Sequence, residues 1–349
     1  MKLPDSIILM SGIVTNSTFD SYDITIKQLY DMVVDAIIDI APEYQRHFVW
    51  QEKRQSQLIE SIFLGIPVPS LFLATNKDST WEVIDGLQRL MTIINYVGKK
   101  EDKIKKIDAY RKKLRIEGLD KMNTINGLVF EELPRSIQIK FLTRPIKITV
   151  LNDRSDFDVR YDLFERLNTG GITLHPQEIR NCIFIGKFKD FIIECSKNKD
   201  YLNVVKLSRN AQKTGILEEL VLKFFAYYED RDLFVHSVKN FLNDYMEKKT
   251  VKFSNEEDLK RIFESTFKII NDILPDGIVR GNRKNTTPLI LFEAISIGVA
   301  DLFSDNKEVD SAKLSLLLDD DELKKLTTGA TNSRNKLNDR INYVKHYGL

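Results

Sequence analysis

The stretch from Ser70 to Val97 leaves the chain few choices of fold. Two short apolar runs, Ser70 to Ala74 and Trp81 to Ile84, flank the turn-rich Asn76-Lys77-Asp78-Ser79, which is the pattern of a β-hairpin. Leu87, Leu90, Met91, Ile94 and Val97 then recur at helical spacing, and Asp85 with Gln88 three residues on has the spacing of a capping box. Asp85-Gly86-Leu87-Gln88-Arg89 is therefore expected to join a strand to a helix. A helix N-terminus gathers unpaired backbone N–H groups and the positive end of the helix dipole. Gly86 would let an anion approach there, and Arg89, expected in an exposed first turn, would add a charged fork to make a phosphate seat. The plainer alternative is a cap, a turn and a solvated arginine.

With 349 residues, 42% of them hydrophobic, the chain can build one large or two ordinary domains, each with its own core. Charged residues make up 30% but nearly cancel, to +1, so any attraction to nucleic acid has to be local. No apolar run approaches the roughly 18 residues of a membrane span, and Met1-Lys2-Leu3-Pro4-Asp5 does not begin a long apolar signal region. A cytoplasmic protein away from membranes is expected. Cys182 and Cys195 form no CxxC pair, and His47, His175, His236 and His346 are scattered. Buried, reduced thiols are expected, and a zinc site or a histidine-metal nuclease centre is not.

Taken in order, Thr25 and Gln28 form a capping-box pattern ahead of a short amphipathic helix, and Ala36 to Ile40 reads as a strand. Tyr44, Phe48 and Trp50 then serve either as core anchors or as ligand contacts. Gln51 to Leu64 is a helix stopped by Gly65, Pro67 and Pro69. Leu114 to Ile116 and Leu128 to Phe130 read as short strands, Pro134 opens a helix, Ile146 to Leu151 alternates like a strand, and Phe157 to Leu167 is helical. Asn168-Thr169-Gly170-Gly171 makes a compact loop before a helix at Pro176, with Glu178 placed as a capping-box acid. Mixed helices and strands without βα repeats indicate an α+β domain over residues 1–206. Beyond about Leu207 only long helical patterns remain, so residues 207–349 are expected to form an α-helical bundle.

One local charge run stands out. Lys99 to Arg115 holds nine Lys or Arg against three acidic residues. Lys103, Lys105, Lys106, Arg111, Lys112 and Lys113 are its candidate DNA contacts, against the reading of a merely solvated segment.

Several stretches together resemble one family, the N-terminal domain of GmrSD-type modification-dependent restriction enzymes. They are Tyr44-Gln45-Arg46 with Val49-Trp50, Leu58-Ile59-Glu60-Ser61 with Gly65-Ile66-Pro67, Ile84 to Leu90, and Phe164 to Gly171 leading to Gln177-Glu178-Ile179-Arg180-Asn181. The ordered likeness spans about Ile37 to Phe184. Phe241-Leu242-Asn243 and Leu291-Phe292-Glu293-Ala294 look like the C-terminal part of stand-alone members, which lack an HNH nuclease domain.

The resemblance implies a fold similar to ParB and sulfiredoxin, and NTP hydrolysis coupled to defence against foreign DNA. In relatives the joint reads Asp-Gly-Gln-Gln-Arg, whereas here Leu87 replaces the first glutamine, which weakens the case for hydrolysis more than for binding. By the same resemblance Asp85, Gln88 and Arg89 are the catalytic candidates. Tyr44, Gln45, Arg46, Gly86, Arg166, Asn168, Gly170 and Gly171 are the nucleotide-binding candidates. Asp85 and Glu165 would hold Mg²⁺. The implied ligands are a nucleoside triphosphate and DNA, with a separate nuclease protein as partner, and oligomer formation stays open. Two other readings compete. One is a Mg²⁺-dependent nuclease using Asp276 with Asp305 and Lys307; the other is a non-catalytic DNA-binding adaptor using the basic run with Arg280, Arg283 and Lys284.

Overall fold

A computed structural model describes residues 19–40, 48, 50–76, 78–98, 113–151, 161–162, 165–166, 175–208, 211–281, 285–329 and 332–348. The chain forms two compact units, Met1–Thr173 and Leu174–Leu349. The first is α+β and the second is helical throughout its described residues. The division falls before residue 206, and ring contacts give the reason. Phe188, Phe191 and Tyr201, expected in the first domain, stack into the helical core: Phe191 lies 5.2 Å from Phe225, and Tyr201 lies 5.0 Å from Phe267. Lys206, just before the polar Leu207 to Thr214 stretch, is also tied into that unit, since Thr287 N–H donates to its carbonyl at 2.8 Å.

In the first unit the elements are β1 Phe19–Thr25, α1 Ile26–Val34, β2 Ile38–Asp39, α2 Glu52–Leu64, β3 Leu71–Thr75, β4 Trp81–Asp85, α3 Leu87–Val97, α4 Arg135–Leu142 and β5 Pro145–Leu151. The sheet runs in the order β1-β5-β3-β4-β2. β3 and β4 are the expected antiparallel hairpin, β3 lies parallel to β5, and β1 pairs antiparallel with β5. Helix α1 has both halves of its capping box, and Gly65 ends α2 at φ +72°, a left-handed position that glycine adopts at little cost.

Three strand expectations need correction. β1 has no counterpart in the sequence reading, because Phe-Asp-Ser-Tyr-Asp-Ile-Thr is a polar edge strand with five exposed residues and no apolar run. Ala36 to Ile40 contracts to the two residues of β2. Leu114–Ile116 and Leu128–Phe130 meet through two backbone bonds, Ile116 N–H to Leu128 O and Gly127 N–H to Ile116 O. They form no ladder, and Phe130–Glu132 winds into a 3-10 turn instead.

Helix α3 is buried from Leu90 through Val97 and is the centre of this unit. Tyr96 on α3 meets Phe141 on α4 at 5.4 Å and Phe130 at 5.3 Å, while Phe63 on α2 meets Phe141 at 4.6 Å. Edge and tilted ring contacts of this kind add to the stability that burying the rings supplies. Because α3 is fixed along its length, its first turn is held at the carboxyl end of β4.

The helical unit contains α5 Pro176–Ile183, α6 Lys187–Cys195, α7 Lys199–Val204, α8 Ile216–Asp230, α9 Val238–Val251, α10 Glu256–Ile273, α11 Leu289–Ser304, α12 Ser311–Leu317, α13 Asp321–Leu326 and α14 Arg334–Tyr347. The Glu178 half of the expected capping box is present, with His175 N–H donating to its carboxylate at 2.7 Å. Helix α9 begins at Val238 because Ser237 caps it, accepting from Asn240 N–H. Cys182 and Cys195 are free and buried, and burial pushes the Cys195 thiol up to about 12.

Inside the helical unit runs a chain of alternating charges. Arg180 on α5, 1% exposed, binds Glu219 on α8 at 3.2 Å and donates to Asn243 on α9 at 2.9 Å. Lys223 lies 3.5 Å from Glu219 and 3.6 Å from Glu293 on α11, and Glu293 binds Arg340 on α14 at 2.6 Å. Removing one member of such a buried series is expected to cost about 3–5 kcal/mol, because its partner keeps a charge in a poorly hydrated place.

Two consequences can be measured. A Cβ on Gly298 of α11 would lie 2.6 Å from Val344 Cγ1 on α14. Gly298→Ala should therefore cost about 1–3 kcal/mol in denaturant unfolding, and Gly298→Ala with Val344→Ala should cost less than the sum of the two single changes. Additive losses would show that the helices do not meet there.

The second concerns Glu229. Burial raises its carboxyl, but hydrogen bonds from Lys249 and Tyr245 more than offset that and hold it below the usual glutamate range. A depressed folded-state value gives stability that is complete above the ordinary value of 4.5 and is lost as pH falls through the folded-state value. Wild-type unfolding free energy should drop in that acid window, and Glu229→Gln should flatten the drop; equal acid limbs would contradict it.

Candidate functional site

The joint between β4 and α3 differs from the expected capping box. The helix N-cap is Gly86, at φ +103° and ψ 11°, and no side chain caps the first turn. Leu90 N–H closes the first helical bond on the Gly86 carbonyl at 2.9 Å. The N–H groups of Leu87, Gln88 and Arg89 are the ones that helix geometry leaves without intrahelical acceptors. Gly86 is required twice over. Its backbone is left-handed, and a Cβ there would lie 2.4 Å from Leu71 Cδ2.

Neither carboxylate nor amide of the expected box points at the helix end, because each has another partner. Asp85 Oδ2 accepts from Arg89 Nη2 at 2.5 Å, an i,i+4 pair across the glycine. Arg89 Nη1 also donates to the carbonyls of Pro69 at 2.5 Å and Ser70 at 2.9 Å. The Arg89 side chain is 13% exposed and that of Asp85 36%. The expectation of an exposed Arg89 is thus corrected: its guanidinium is an internal clamp tying the end of β4 to the residues before β3. Buried Gly86 likewise makes the turn less open than the sequence suggests.

Gln88 is held from the other side. Its Oε1 accepts from the Trp50 N–H at 3.2 Å, and the Trp50 carbonyl accepts from Gln55 Nε2 on α2 at 2.8 Å. The Arg54 guanidinium lies over the Trp50 ring, 4.5 Å from its centre. Trp50 is therefore brought to the joint. Gln55 had no place in the sequence reading. Its signal was a polar residue, buried in the structure, on the stripe that carries Ile59, Ile62 and Phe63.

The remaining candidates are placed less favourably. Tyr44, Gln45, Arg46, Asn168, Gly170 and Gly171, and Lys103, Lys105, Lys106, Arg111 and Lys112, lie outside the described residues. Lys113 is described, and its ammonium is paired with Glu131. Glu165 and Arg166 are exposed on a helical stretch. Among the described residues no three His, Cys, Asp or Glu side chains converge as a metal cluster.

The alternative readings lose ground on geometry. Asp276 is exposed in a turn whose next residue, Gly277, packs so closely on Val204 that a Cβ would lie 2.8 Å from that carbonyl oxygen. Asp305 accepts from Lys345 at 2.9 Å, a hydrogen bond that pulls its carboxyl below the usual range. Arg280, expected on a DNA surface, donates to the Leu318 carbonyl at 2.6 Å and to Thr327 Oγ1 at 2.9 Å, so it fastens the helical unit; Arg283 and Lys284 lie outside the described residues.

No helix among the described residues is long and apolar enough to cross a membrane. No curated protein matches the chain. A solved Pnob8-like ParB-N domain is similar to it at 14% identity, over 95% of this chain and 98% of that one, with a TM-score of 0.26, a likeness too slight to bear on the fold. A family model does match, over the stretch that holds Trp50, Gln55 and the Asp85–Arg89 joint: residues 26–185 match the GmrSD restriction endonuclease, N-terminal domain.

Proposed function

We propose that the first unit is a nucleoside-triphosphate-binding module of a DNA restriction system, acting with a nuclease supplied by another protein. The observation that carries this reading is the strand-to-helix joint inside the matched stretch: a left-handed glycine, a first helical turn with no side-chain cap, and a carboxylate at its rim. Backbone N–H groups and the helix dipole suit triphosphate oxygens, and Asp85 suits the Mg²⁺ that accompanies them. Bound Mg²⁺ would neutralise phosphate charge and orient the ligand.

In this reading Arg89 is a positioning residue. It fixes Asp85 and the start of β3, and it does not touch the ligand. The main chain of the first turn is the contact. The DNA reading rests on the restriction family alone, since Lys113 is already paired and the other lysines and arginines of the basic run are not described.

Melting of the full chain tests the ligand. ATP, GTP, CTP or UTP with Mg²⁺ should raise the melting temperature, since a ligand at about 100 times its dissociation constant adds about 2.7 kcal/mol. No shift with any of the four would end the reading. A clamp also predicts that Arg89→Ala lowers the unfolding free energy without ligand, by about 2–3 kcal/mol, because one ion pair and two carbonyl contacts are lost. Arg89→Lys should recover only part of it, since an ammonium cannot reproduce the planar fork. Wild-type stability in Arg89→Ala would show that the residue is free to serve the ligand.

A further inference from the structure

The sequence leaves Phe48 and Trp50 as either core anchors or ligand contacts, and the structure separates the two. Phe48 packs against the apolar cluster of the α+β unit, as does Trp81, the other tryptophan of the chain, which also stacks on Tyr22. Trp50 is half-buried just ahead of α2, and the neighbour of its ring is a charge. The guanidinium of Arg54, an exposed residue, lies 4.5 Å from the ring centre. The main chain of Trp50, by contrast, is fixed on both sides. Its N–H donates to Gln88 Oε1 on the first turn of α3 at 3.2 Å, and its carbonyl accepts from buried Gln55 at 2.8 Å.

We infer that Trp50 is the base platform of the triphosphate site: the nucleobase of the ligand stacks on the indole face opposite Arg54 while its phosphates sit at the first turn of α3. The inference rests on the triphosphate reading and names what holds the other end of that ligand. Trp50 stands one carboxamide away from the helix whose N–H groups that reading gives to phosphate, so a single nucleotide spans the two places.

The chemistry suits a base. Tryptophan offers the broadest aromatic face of any side chain, and a guanidinium over its other face is held there by the negative charge of the ring's π-cloud. Arginine, indole and base then form three layers, and the cation also draws an anionic ligand toward this end of the site. Stacking uses the face of a base, which all four bases have, so the contact favours a nucleotide over bare phosphate without choosing among bases. Choice among them is left to hydrogen bonds at base edges. The position is rigid where it has to be, because the two main-chain bonds hold the Trp50 backbone whatever its side chain does.

That separation of ring from backbone gives the test. Trp50→Ala removes the platform and keeps the N–H and carbonyl that Gln88 and Gln55 bind. Affinity is measured on the full chain with Mg²⁺ for two probes, inorganic tripolyphosphate and whichever of ATP, GTP, CTP or UTP gives the largest melting shift. Trp50→Ala should bind the nucleotide about tenfold more weakly, within the range known for base–aromatic stacking, and should bind tripolyphosphate as wild type does. Trp50→Phe should recover most of the loss. A merely structural role would weaken both probes alike. Should Trp50→Ala fold poorly, Trp81→Phe leaves Trp50 as the sole tryptophan, and its fluorescence should be quenched by the nucleotide and not by tripolyphosphate.

Three results would overturn the inference. One is Trp50→Ala with wild-type affinity for the nucleotide, or with equal losses for both probes, which spares the triphosphate reading. Another is a Trp81→Phe protein that binds the nucleotide with unchanged fluorescence. The third is a wild-type chain that binds neither probe, which removes the triphosphate reading and this inference together.

Discussion

Arg89 is the fastening on which the α+β unit depends. One guanidinium reaches the carboxylate that ends β4 and two carbonyls that precede β3, so both ends of the hairpin and the start of α3 are set by a single side chain. Charge-assisted bonds in a mostly buried place are stronger than neutral ones, and the planar fork fixes directions as well as distances. Placing the start of β3 places Leu71 against Gly86, which leaves no room for a Cβ at the turn. The first turn of α3 is accordingly built from main chain, and the chemistry open to it is that of N–H donors. Arginine and glycine are thus two parts of one arrangement, the first holding what the second makes room for.

The two units stabilise themselves by different means. The α+β unit buries one apolar cluster around α3, from Ile26 and Leu29 on α1 to Ile148 and Val150 on β5. The helical unit mixes rings with charges. Phe224, Phe263 and Phe267 touch at 4.5 to 5.4 Å, and beside them α8 also carries Glu219 and Lys223 into the interior. Interior ions gain little net stability over apolar residues of the same volume, but they reject misalignment, because a slipped helix would leave a charge without its opposite. Rings fill space there, and charges fix which face of each helix turns inward.

Much of this was legible in the sequence where the signal is local. The hairpin, α1 with Thr25 and Gln28, α2 with its terminal Gly65, and the long helices from Ile216 onward follow from spacing and caps that lie within a few residues of one another. β1 was not legible, because an edge strand needs only a neighbour's backbone and its own side chains stay in water. The unit boundary was not legible because the polar run after Leu207 has a loop's composition whether it links domains or helices. At the site, Asp85 and Gln88 had the right spacing for a cap, but tertiary partners won: Arg89 took the carboxylate, and Trp50, 38 positions earlier in sequence, took the amide. Pattern reading prices near neighbours well and distant ones not at all, and Gln55 escaped it for that reason.

The alternating charges from Arg180 to Arg340 have a consequence for how such a chain can drift over time. Each interior member is shared between two opposites, so a reversal or a loss at Glu219, Lys223 or Glu293 strands a neighbour on either side. Tolerated change then has to arrive as a block, with several helices altered in one lineage, or the block stays as it is. Five positions spread over 161 residues of sequence would in that case be inherited like a single character, and a sequence keeping four of them with an apolar fifth would mark a bundle rebuilt from within.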